Sequence, residues 1–286
     1  MRELILKSDL MERKLFMAVI SMLVPLMTGV LAQPVFGLEI RRGEAVQGGL
    51  VLLQAVPGAT LTADGDLLMV SAAGLAVVGF HRDDTAAVEV IATAPDGSIE
   101  TLTLTPQIRE YQEQRIDGLP KKMVTPPEDV LARITSDREM VIQARSHATA
   151  LDAFAGDITW PVKGIVTGVY GSRRILNGEP RAPHYGIDIA AAKGTPVTAP
   201  ADGIIRMVED LYFTGWTIIL DHGHGLSSTF LHLDTTSVRQ GEMVAAGQVI
   251  ATVGSSGRST GPHLDWRINL FGKRLDPMLI AGPMPQ

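Results

Sequence analysis

Two clusters of imidazole and carboxylate residues could together hold a metal ion. His184 and Asp188 lie four residues apart in the first cluster, and His263 and Asp265 lie two residues apart in the second. Residues i and i+2 of a strand point to the same face, so His263 and Asp265 are expected to be neighbours. His232, between the clusters in sequence, adds a further imidazole. These five side chains form a nitrogen and oxygen donor set of the kind that zinc accepts.

The spacing of His184 and Asp188 requires a bend in the backbone between them. In a fully extended strand they would lie about 13 Å apart, which is too far for two ligands of one ion. Pro183 and Gly186 both allow the chain to leave strand geometry at this point. We therefore expect a loop-borne His184 to fold back towards a strand-borne Asp188.

Several short motifs that surround these residues occur in a fixed order along the second half of the chain. They are His184-Tyr185-Gly186-Ile187-Asp188, Gly194-Thr195-Pro196-Val197, Ala201-Asp202-Gly203, Asp221-His222-Gly223-His224-Gly225, Phe230-Leu231-His232-Leu233 and Thr260-Gly261-Pro262-His263-Leu264. Ordered motifs at sensible spacing are far more specific than any one of them. Together they resemble the lysostaphin/LytM-type zinc metallopeptidases of peptidase family M23. The resemblance covers residues 160–283 and implies an antiparallel β-sheet groove domain that cuts peptide bonds in peptidoglycan.

The resemblance also implies a role for each residue of the two clusters. His184 and Asp188 match two metal ligands. His232 and His263 match the catalytic histidines that orient or deprotonate the attacking water and stabilise the developing oxyanion. The family's last motif is normally His-x-His, and its second histidine is the third metal ligand. Because Asp265 stands at that position, the implied set is His184, Asp188 and Asp265, holding one Zn²⁺ or a more oxygen-loving ion such as Mn²⁺.

An aspartate at position 265 changes the charge of the expected site. A second carboxylate would neutralise the metal more fully and make it a weaker Lewis acid. Two carboxylates about 4 Å apart repel each other by roughly 4 kcal/mol at an effective dielectric constant of about 20. A metal, a proton or a nearby arginine such as Arg181 or Arg267 must therefore compensate them. An arginine in that place would indicate an empty relic of a metal site.

Two functions remain open at this stage. The first is a metal-dependent endopeptidase that acts on peptidoglycan peptides by metal-activated water. The second, suggested by Asp265, is a catalytically degenerate M23-like domain that binds cell wall or activates a partner wall hydrolase. A biotinyl- or lipoyl-type carrier barrel is disfavoured, because no carrier lysine lies in a hairpin.

Composition limits the compartment and the partners. The 286 residues are 45% hydrophobic, which is enough for two packed domains. A formal net charge of −6 leaves no basic surplus for nucleic acid, so none is expected as a partner. The absence of cysteine excludes disulfides and thiolate ligands.

The first residues resemble an export signal. Arg13 and Lys14 precede an apolar run over residues 15–31, and Ala32 ends a small-residue cleavage site. We expect residues 1–32 to be a signal peptide and the protein to be periplasmic or secreted. The apolar run is also near the lower length limit of a membrane span, so an uncleaved anchor, with membrane association through this segment alone, is the alternative.

The remaining pattern predicts a mostly β protein in three parts. Short apolar segments separated by turns predict an immunoglobulin-like β-sandwich over residues 38–110. Residues 111–157 are expected to form a linker and a helix, which begins near Pro127 and ends at Gly156. Residues 158–283 form the expected groove domain.

Three further predictions concern single elements. Apolar residues at near-helical spacing predict an apolar face on the helix. His81 is expected in a solvated loop. His222 and His224 are expected in a turn between strands rather than in a metal site.

Overall fold

The computed structural model describes residues 37–118 and 126–285, and the fold of these residues is mostly β. The predicted signal peptide, residues 1–32, lies outside the described part of the chain. Among the residues described, no helix is long and apolar enough to cross a membrane.

The N-terminal part consists of two antiparallel sheets that share a core. Its strands are β1 Glu39–Arg42, β2 Leu50–Gln54, β3 Thr60–Ala63, β4 Asp66–Leu67, β5 Leu75–Gly79, β6 Val88–Thr93 and β7 Ile99–Leu104. One sheet has the order β1-β2-β5 and the other β4-β3-β6-β7. Side chains from both sheets, including Val51, Leu61 and Val90, form one apolar cluster. The apolar segments between residues 50 and 104 are confirmed as strands except residues 67–70, where the strand ends at Leu67. Strand β1 was not predicted.

Strand β5 shows how this part is joined to the rest of the chain. All five of its residues are buried. Ala76 and Val78 face the N-terminal core, while Leu75 and Val77 belong to the core of the C-terminal sheet. A strand covered on both faces has a continuous apolar sequence, which is what this segment shows. The described residues consequently form one compact unit, and the domain boundaries stay a prediction.

The segment expected to be an irregular linker contains a strand. Strand β8, Glu113–Ile116, pairs in parallel with residues 173–176 of the C-terminal part. The sequence-based interpretation is wrong here because the partner edge, more than 50 residues further along the chain, supplies the hydrogen bonds.

The predicted helix is shorter than expected. A 3-10 turn at Glu128–Val130 leads into helix α1, Leu131–Ser146. The backbone of His147 is extended, and the Thr149 carbonyl accepts a hydrogen bond from the His224 amide at 2.8 Å. The chain after Ser146 therefore bonds to the C-terminal sheet instead of continuing the helix. The predicted helix end at Gly156 is therefore wrong, and the predicted apolar face is limited to Met140, Val141 and Ala144. Ala144 is the single buried residue of α1, and it packs on the C-terminal sheet.

The C-terminal part is built on one large antiparallel sheet. Its strands are β9 Ile165–Gly168, β10 Arg173–Leu176, β11 Glu179–Arg181, β12 Ile187–Ala190, β13 Pro196–Thr198, β14 Gly203–Leu211, β15 Gly215–Gly223, β16 Leu226–Thr236, β17 Met243–Val244, β18 Val249–Val253, β19 His263–Leu270 and β20 Lys273–Leu275. The main path runs β17-β14-β15-β16-β19-β12-β9, and β11-β10-β8 form a small separate sheet. Helix α2, Pro277–Ala281, starts after Asp276, whose carboxylate accepts from the Met278 amide. The expected antiparallel sheet is confirmed.

Candidate metal centre

The structure brings His184, Asp188 and Asp265 into one cluster. The Nε2 atom of His184 lies 3.2 Å from Oδ1 of Asp188 and 3.5 Å from Oδ2 of Asp265. One ligand atom from each residue lies within 4.8 Å of the other two. The predicted convergence of the two sequence clusters is therefore confirmed. The roles of the residues as ligands stay predictions.

Strand pairing places the two carboxylates, and a bend places the histidine. Asp188 in β12 is the direct cross-strand partner of Asp265 in β19. His184 precedes β12 and lies outside regular strand geometry, as expected. Gly186 has a further reason to be glycine: a Cβ there would lie 2.7 Å from Oδ1 of Asp265 and 2.6 Å from the Trp266 carbonyl oxygen. Asp265 can enter the site because this position has no side chain.

Two arginines compensate the two carboxylates. Arg267 donates to both oxygens of Asp265, at 2.9 and 2.6 Å, and Arg174 donates to Oδ2 of Asp188 at 3.0 Å. Burial opposes ionisation of Asp265, but the Arg267 guanidinium outweighs burial and holds the pKa of this carboxyl well below its usual range. The expected arginine partner of Asp265 is thus Arg267, which is the arrangement expected above for an empty relic of a metal site. Arg181 lines the same groove, and it is Arg174 that pairs with Asp188.

His184 is buried without a hydrogen-bond partner on either ring nitrogen. Its two contacts with the carboxylates are close but lack hydrogen-bond geometry. Burial opposes a charge on the ring, yet the carboxylates of Asp265 and Asp188 raise the pKa of His184 above its ordinary value. The two acids therefore favour the protonated form of the His184 ring.

The cluster fits a divalent cation. Ligand atoms that lie about 2.0–2.2 Å from a tetrahedral zinc are about 3.3–3.6 Å apart. The separations of 3.2 and 3.5 Å from His184 Nε2 are close to this edge length, and the nitrogen faces both oxygens without bonding to either. A carboxylate oxygen that accepts from an arginine keeps a second lone pair for a metal. Arg174 and Arg267 thus correspond to the outer partners that normally hold ligating carboxylates.

His232 and His263 lie beside the cluster with their ring centroids 4.9 Å apart. Nδ1 of His232 lies 2.8 Å from the Ser256 carbonyl oxygen, and Nδ1 of His263 lies 2.8 Å from the Gly261 carbonyl oxygen. A carbonyl only accepts, so each Nδ1 carries the proton and each Nε2 is left to act as a base. Burial lowers the pKa of His232, which keeps its ring neutral near pH 7.

The backbone at His232 has an unusual conformation. Its φ of 62° lies in the left-handed region, which is uncommon for a residue with a side chain. The register of β16 shifts just after it, between Leu233 and Thr235. Such strain often occurs at functional sites. Here it accompanies a ring that reaches His263 from a neighbouring strand.

The cluster lies in a groove with a volume of about 570 Å³. Side chains from four regions of the chain line it, namely Gln114, Arg174, Arg181, Tyr185, His232, Arg258, His263 and Arg267. Gln114 comes from β8, so the unpredicted strand forms part of the groove wall. Sequence reasoning also missed the carbonyl partners of His232 and His263, because no local pattern marks a carbonyl acceptor.

The remaining histidines behave differently from the cluster. His81 is half-buried and its ring lies 5.4 Å from that of Tyr185, rather than in free solvent. His222 belongs to strand β15 and is fully buried, so the expected turn position is wrong for it. His224 lies in the turn after β15, as expected, and stacks on Phe154 with a centroid distance of 4.1 Å.

The C-terminal part therefore has a β-sheet groove with a His-Asp-Asp cluster and a flanking histidine pair. Residues 182–277 match the model of peptidase family M23, and this part of the chain belongs to that family. A DD-carboxypeptidase/endopeptidase, Mpg, of Neisseria meningitidis is 42% identical over 103 residues, which are 36% of this chain and 24% of that protein. The murein hydrolase activator EnvC of Escherichia coli is 36% identical over 137 residues, 48% of this chain and 32% of that protein.

The likeness to a solved structure extends beyond the M23 segment. A Pseudomonas aeruginosa crystal structure described as a peptidase M23 superposes with a TM-score of 0.64 and is 26% identical. The match covers 84% of this chain and 96% of that one. By contrast, this chain spans a quarter to a third of the curated relatives described above.

Proposed function

We propose that the protein is a metal-dependent endopeptidase that cleaves peptide bonds in peptidoglycan. The observation that carries the proposal is the position of His184 Nε2, which faces Asp188 and Asp265 at 3.2 and 3.5 Å with no hydrogen-bond partner. His184, Asp188 and Asp265 would hold the ion, with Zn²⁺ as the first choice and Mn²⁺ as the alternative. When bound, the ion supplies Lewis acidity, which lowers the pKa of a water ligand and polarises the scissile carbonyl.

The histidine pair supplies the proton transfers. Both rings present Nε2, because Nδ1 of each donates to a backbone carbonyl. His232 is neutral near pH 7 and can take a proton from the attacking water. His263 lies closer to the ligands, with Nε2 at 3.8 Å from Oδ1 of Asp188, and would stabilise the developing oxyanion only with a proton on Nε2 as well as on Nδ1.

Arg267 explains how an aspartate can replace the family's third histidine. A neutral imidazole contributes no charge to the ligand set, whereas a free carboxylate contributes −1. The bidentate bond from Arg267 offsets the charge of Asp265, so that the pair is neutral as a unit. The Lewis acidity expected for the His-Asp-His set is then largely retained.

Digestion of sacculi tests this proposal. The purified protein, supplied with Zn²⁺ or Mn²⁺, should release muropeptide fragments, and a chelator should stop the release. Release that persists after complete removal of divalent ions would contradict a metal mechanism. No release with any divalent ion would contradict the endopeptidase.

A second function is favoured by a specific observation, namely the use of both oxygens of Asp265 by Arg267. If this ion pair excludes metal, the domain is a degenerate member that binds cell wall or activates a partner hydrolase. One relative with a partial match is described as a murein hydrolase activator. Retained binding to sacculi without any bound metal or cleavage would support this alternative.

The cellular location of the protein and the fold type of its N-terminal sheets are also part of the proposal. We propose that an N-terminal signal exports the protein to the periplasm or the medium, where peptidoglycan lies. We further propose an immunoglobulin-like type for the two N-terminal sheets. Cell fractionation with a C-terminal tag, together with mass measurement of the mature N-terminus, tests the export signal.

A further inference from the structure

The backbone of His184 is held by the turn that precedes β10. The Gly171 amide donates to the His184 carbonyl at 2.7 Å, and the His184 amide donates to the Ser172 carbonyl at 3.0 Å. Both polar groups of the His184 backbone are thus bonded to two consecutive residues. The position of the candidate ligand therefore depends on where this turn lies.

Arg82, in the N-terminal part, holds the same turn from the other side. Its Nε donates to the Gly171 carbonyl at 2.7 Å across 89 residues of sequence. The guanidinium is buried, pairs with Asp83, and lies 4.3 Å from the ring centroid of Tyr111. A buried guanidinium keeps its place only where its charge and its donors have partners. Arg82 therefore fixes the carbonyl of Gly171 in one direction.

Tyr111 and Gln112 reinforce this contact. Gly171 has a φ of 81°, and a Cβ at this position would overlap the ring of Tyr111. The Arg173 amide donates to the Gln112 carbonyl at 2.8 Å, at the start of the β8–β10 pairing. The turn is thus held from Arg82, from Tyr111 and from the backbone of residue 112.

Arg82 itself has little freedom to move. Phe80, two residues earlier, is fully buried in the N-terminal core. Asp84, two residues later, accepts from the His81 amide at 2.8 Å and from Lys273 Nζ at 3.0 Å. The loop at 81–84 is therefore anchored in both parts of the fold.

We infer that Arg82 is a positioning residue for His184, and that the N-terminal sheets serve as a brace for the candidate metal centre. The path is continuous, from Arg82 to the Gly171 carbonyl and from the Gly171 amide to the His184 carbonyl. Its effect on metal binding rests on the proposed function, whereas its effect on the backbone does not.

The test compares Arg82→Met with Arg42→Met in the full chain. Arg42 also joins the N-terminal sheets to a backbone carbonyl, that of Gly156, at 2.7 Å, but it lies off this path. Amide hydrogen exchange, followed by NMR, reports the Gly171 and His184 bonds in the metal-free protein. In Arg82→Met both amides should exchange at least about tenfold faster, and Zn²⁺ affinity should fall by about tenfold. Arg42→Met should change neither quantity.

The outcomes separate this inference from the proposed function. Wild-type exchange at Gly171 and His184 in a folded Arg82→Met protein would overturn the inference. If that variant does not fold, Arg82→Lys replaces it, since lysine keeps the charge but has a methylene group where Arg82 Nε donates to the Gly171 carbonyl. Wild-type exchange in this variant would overturn the inference equally. A wild-type protein that binds no metal would overturn the proposed function. The exchange result would still test whether Arg82 positions the backbone of His184.

Discussion

Asp188 and Asp265 lie directly opposite each other on neighbouring antiparallel strands, and the ring of His184 faces both carboxylates. Like charges in this cross-strand position normally destabilise a sheet. Arg174 and Arg267 offset them on the outer side, which leaves the inner side, towards His184, for a proton or a metal ion.

Removing Arg267 should make the thermal stability of the protein depend more strongly on bound metal. In Arg267→Met the buried carboxylate of Asp265 loses its bidentate partner, which should cost about 3–5 kcal/mol in the metal-free protein. A metal ion then becomes the main compensating charge, so saturating Zn²⁺ should raise Tm by more than it does in the wild type. Thermal unfolding with and without Zn²⁺ measures both. Equal shifts in the two proteins would contradict the proposed role of Arg267.

Replacing either flanking histidine should abolish cleavage and spare the metal. Proton transfer by a positioned side chain contributes about 10²- to 10⁴-fold to a rate, so His232→Ala and His263→Ala should each lose activity in that range. Metal content should remain at the wild-type level, because neither ring belongs to the His-Asp-Asp set. His147→Ala, at an exposed position directly after α1, is the control. Full activity of both variants would exclude a catalytic pair.

A methyl group at position 186 should distort the site. The Cβ of Gly186→Ala would lie 2.5 Å from Cγ of Arg267 and 2.7 Å from Oδ1 of Asp265. Overpacking of this kind costs about 1–3 kcal/mol and should also weaken metal binding. Gly272→Ala, with no atom within 4 Å of the added Cβ, is the matched control. Denaturant unfolding and metal titration of the pair test the prediction, and indistinguishable behaviour of the two would contradict it.

Stability should fall in mild acid because of His222. Its Nδ1 lies 2.9 Å from the Asp202 carbonyl oxygen and its Nε2 lies 2.9 Å from Oγ of Ser228, which suits the neutral ring. Burial lowers the pKa of His222 below 6.5, so the unfolded chain binds the proton more tightly than the folded one. The stability that the neutral His222 ring contributes is fully present above pH 6.5. It is lost as the pH falls through the lower pKa that His222 has in the folded protein.

The size of this pH effect is limited by one proton. The free energy of unfolding should change by at most about 1.4 kcal/mol per pH unit from His222 alone. His222→Gln should flatten the curve of unfolding free energy against pH between 6.5 and lower values, relative to wild type. If the slope of unfolding free energy against pH is the same in His222→Gln and wild type, groups other than His222 cause the loss of stability in acid.

Residues close in sequence made much of the site predictable. Strand geometry was sufficient to group His263 with Asp265, because residues i and i+2 share a face. His184 could be grouped with Asp188 because Pro183 and Gly186 allow a bend between them. The pairing of Arg267 with Asp265 could also be predicted, since the two residues lie two positions apart on the same strand face. The N-terminal strands followed from short apolar runs between turn residues.

Other features depend on partners that are distant in sequence. Strand β8 exists because residues 173–176 offer it an edge, and helix α1 ends at Ser146 because the sheet bonds the chain that follows. The bond from Arg82 to the Gly171 carbonyl spans 89 residues and involves a backbone acceptor. No local pattern specifies such contacts, since each joins residues that come together only in the folded chain.

Metal analysis of the purified protein tests the central claim most directly. The protein is stripped with a chelator, titrated separately with Zn²⁺ and Mn²⁺, and compared with Asp265→Ala and His184→Ala by elemental analysis. We predict one divalent ion per wild-type chain and affinity more than about 100-fold weaker in both variants, since outer partners alone contribute 10- to 100-fold. A wild-type chain that binds neither ion at neutral pH would contradict the claim that an arginine-paired aspartate completes a metal centre.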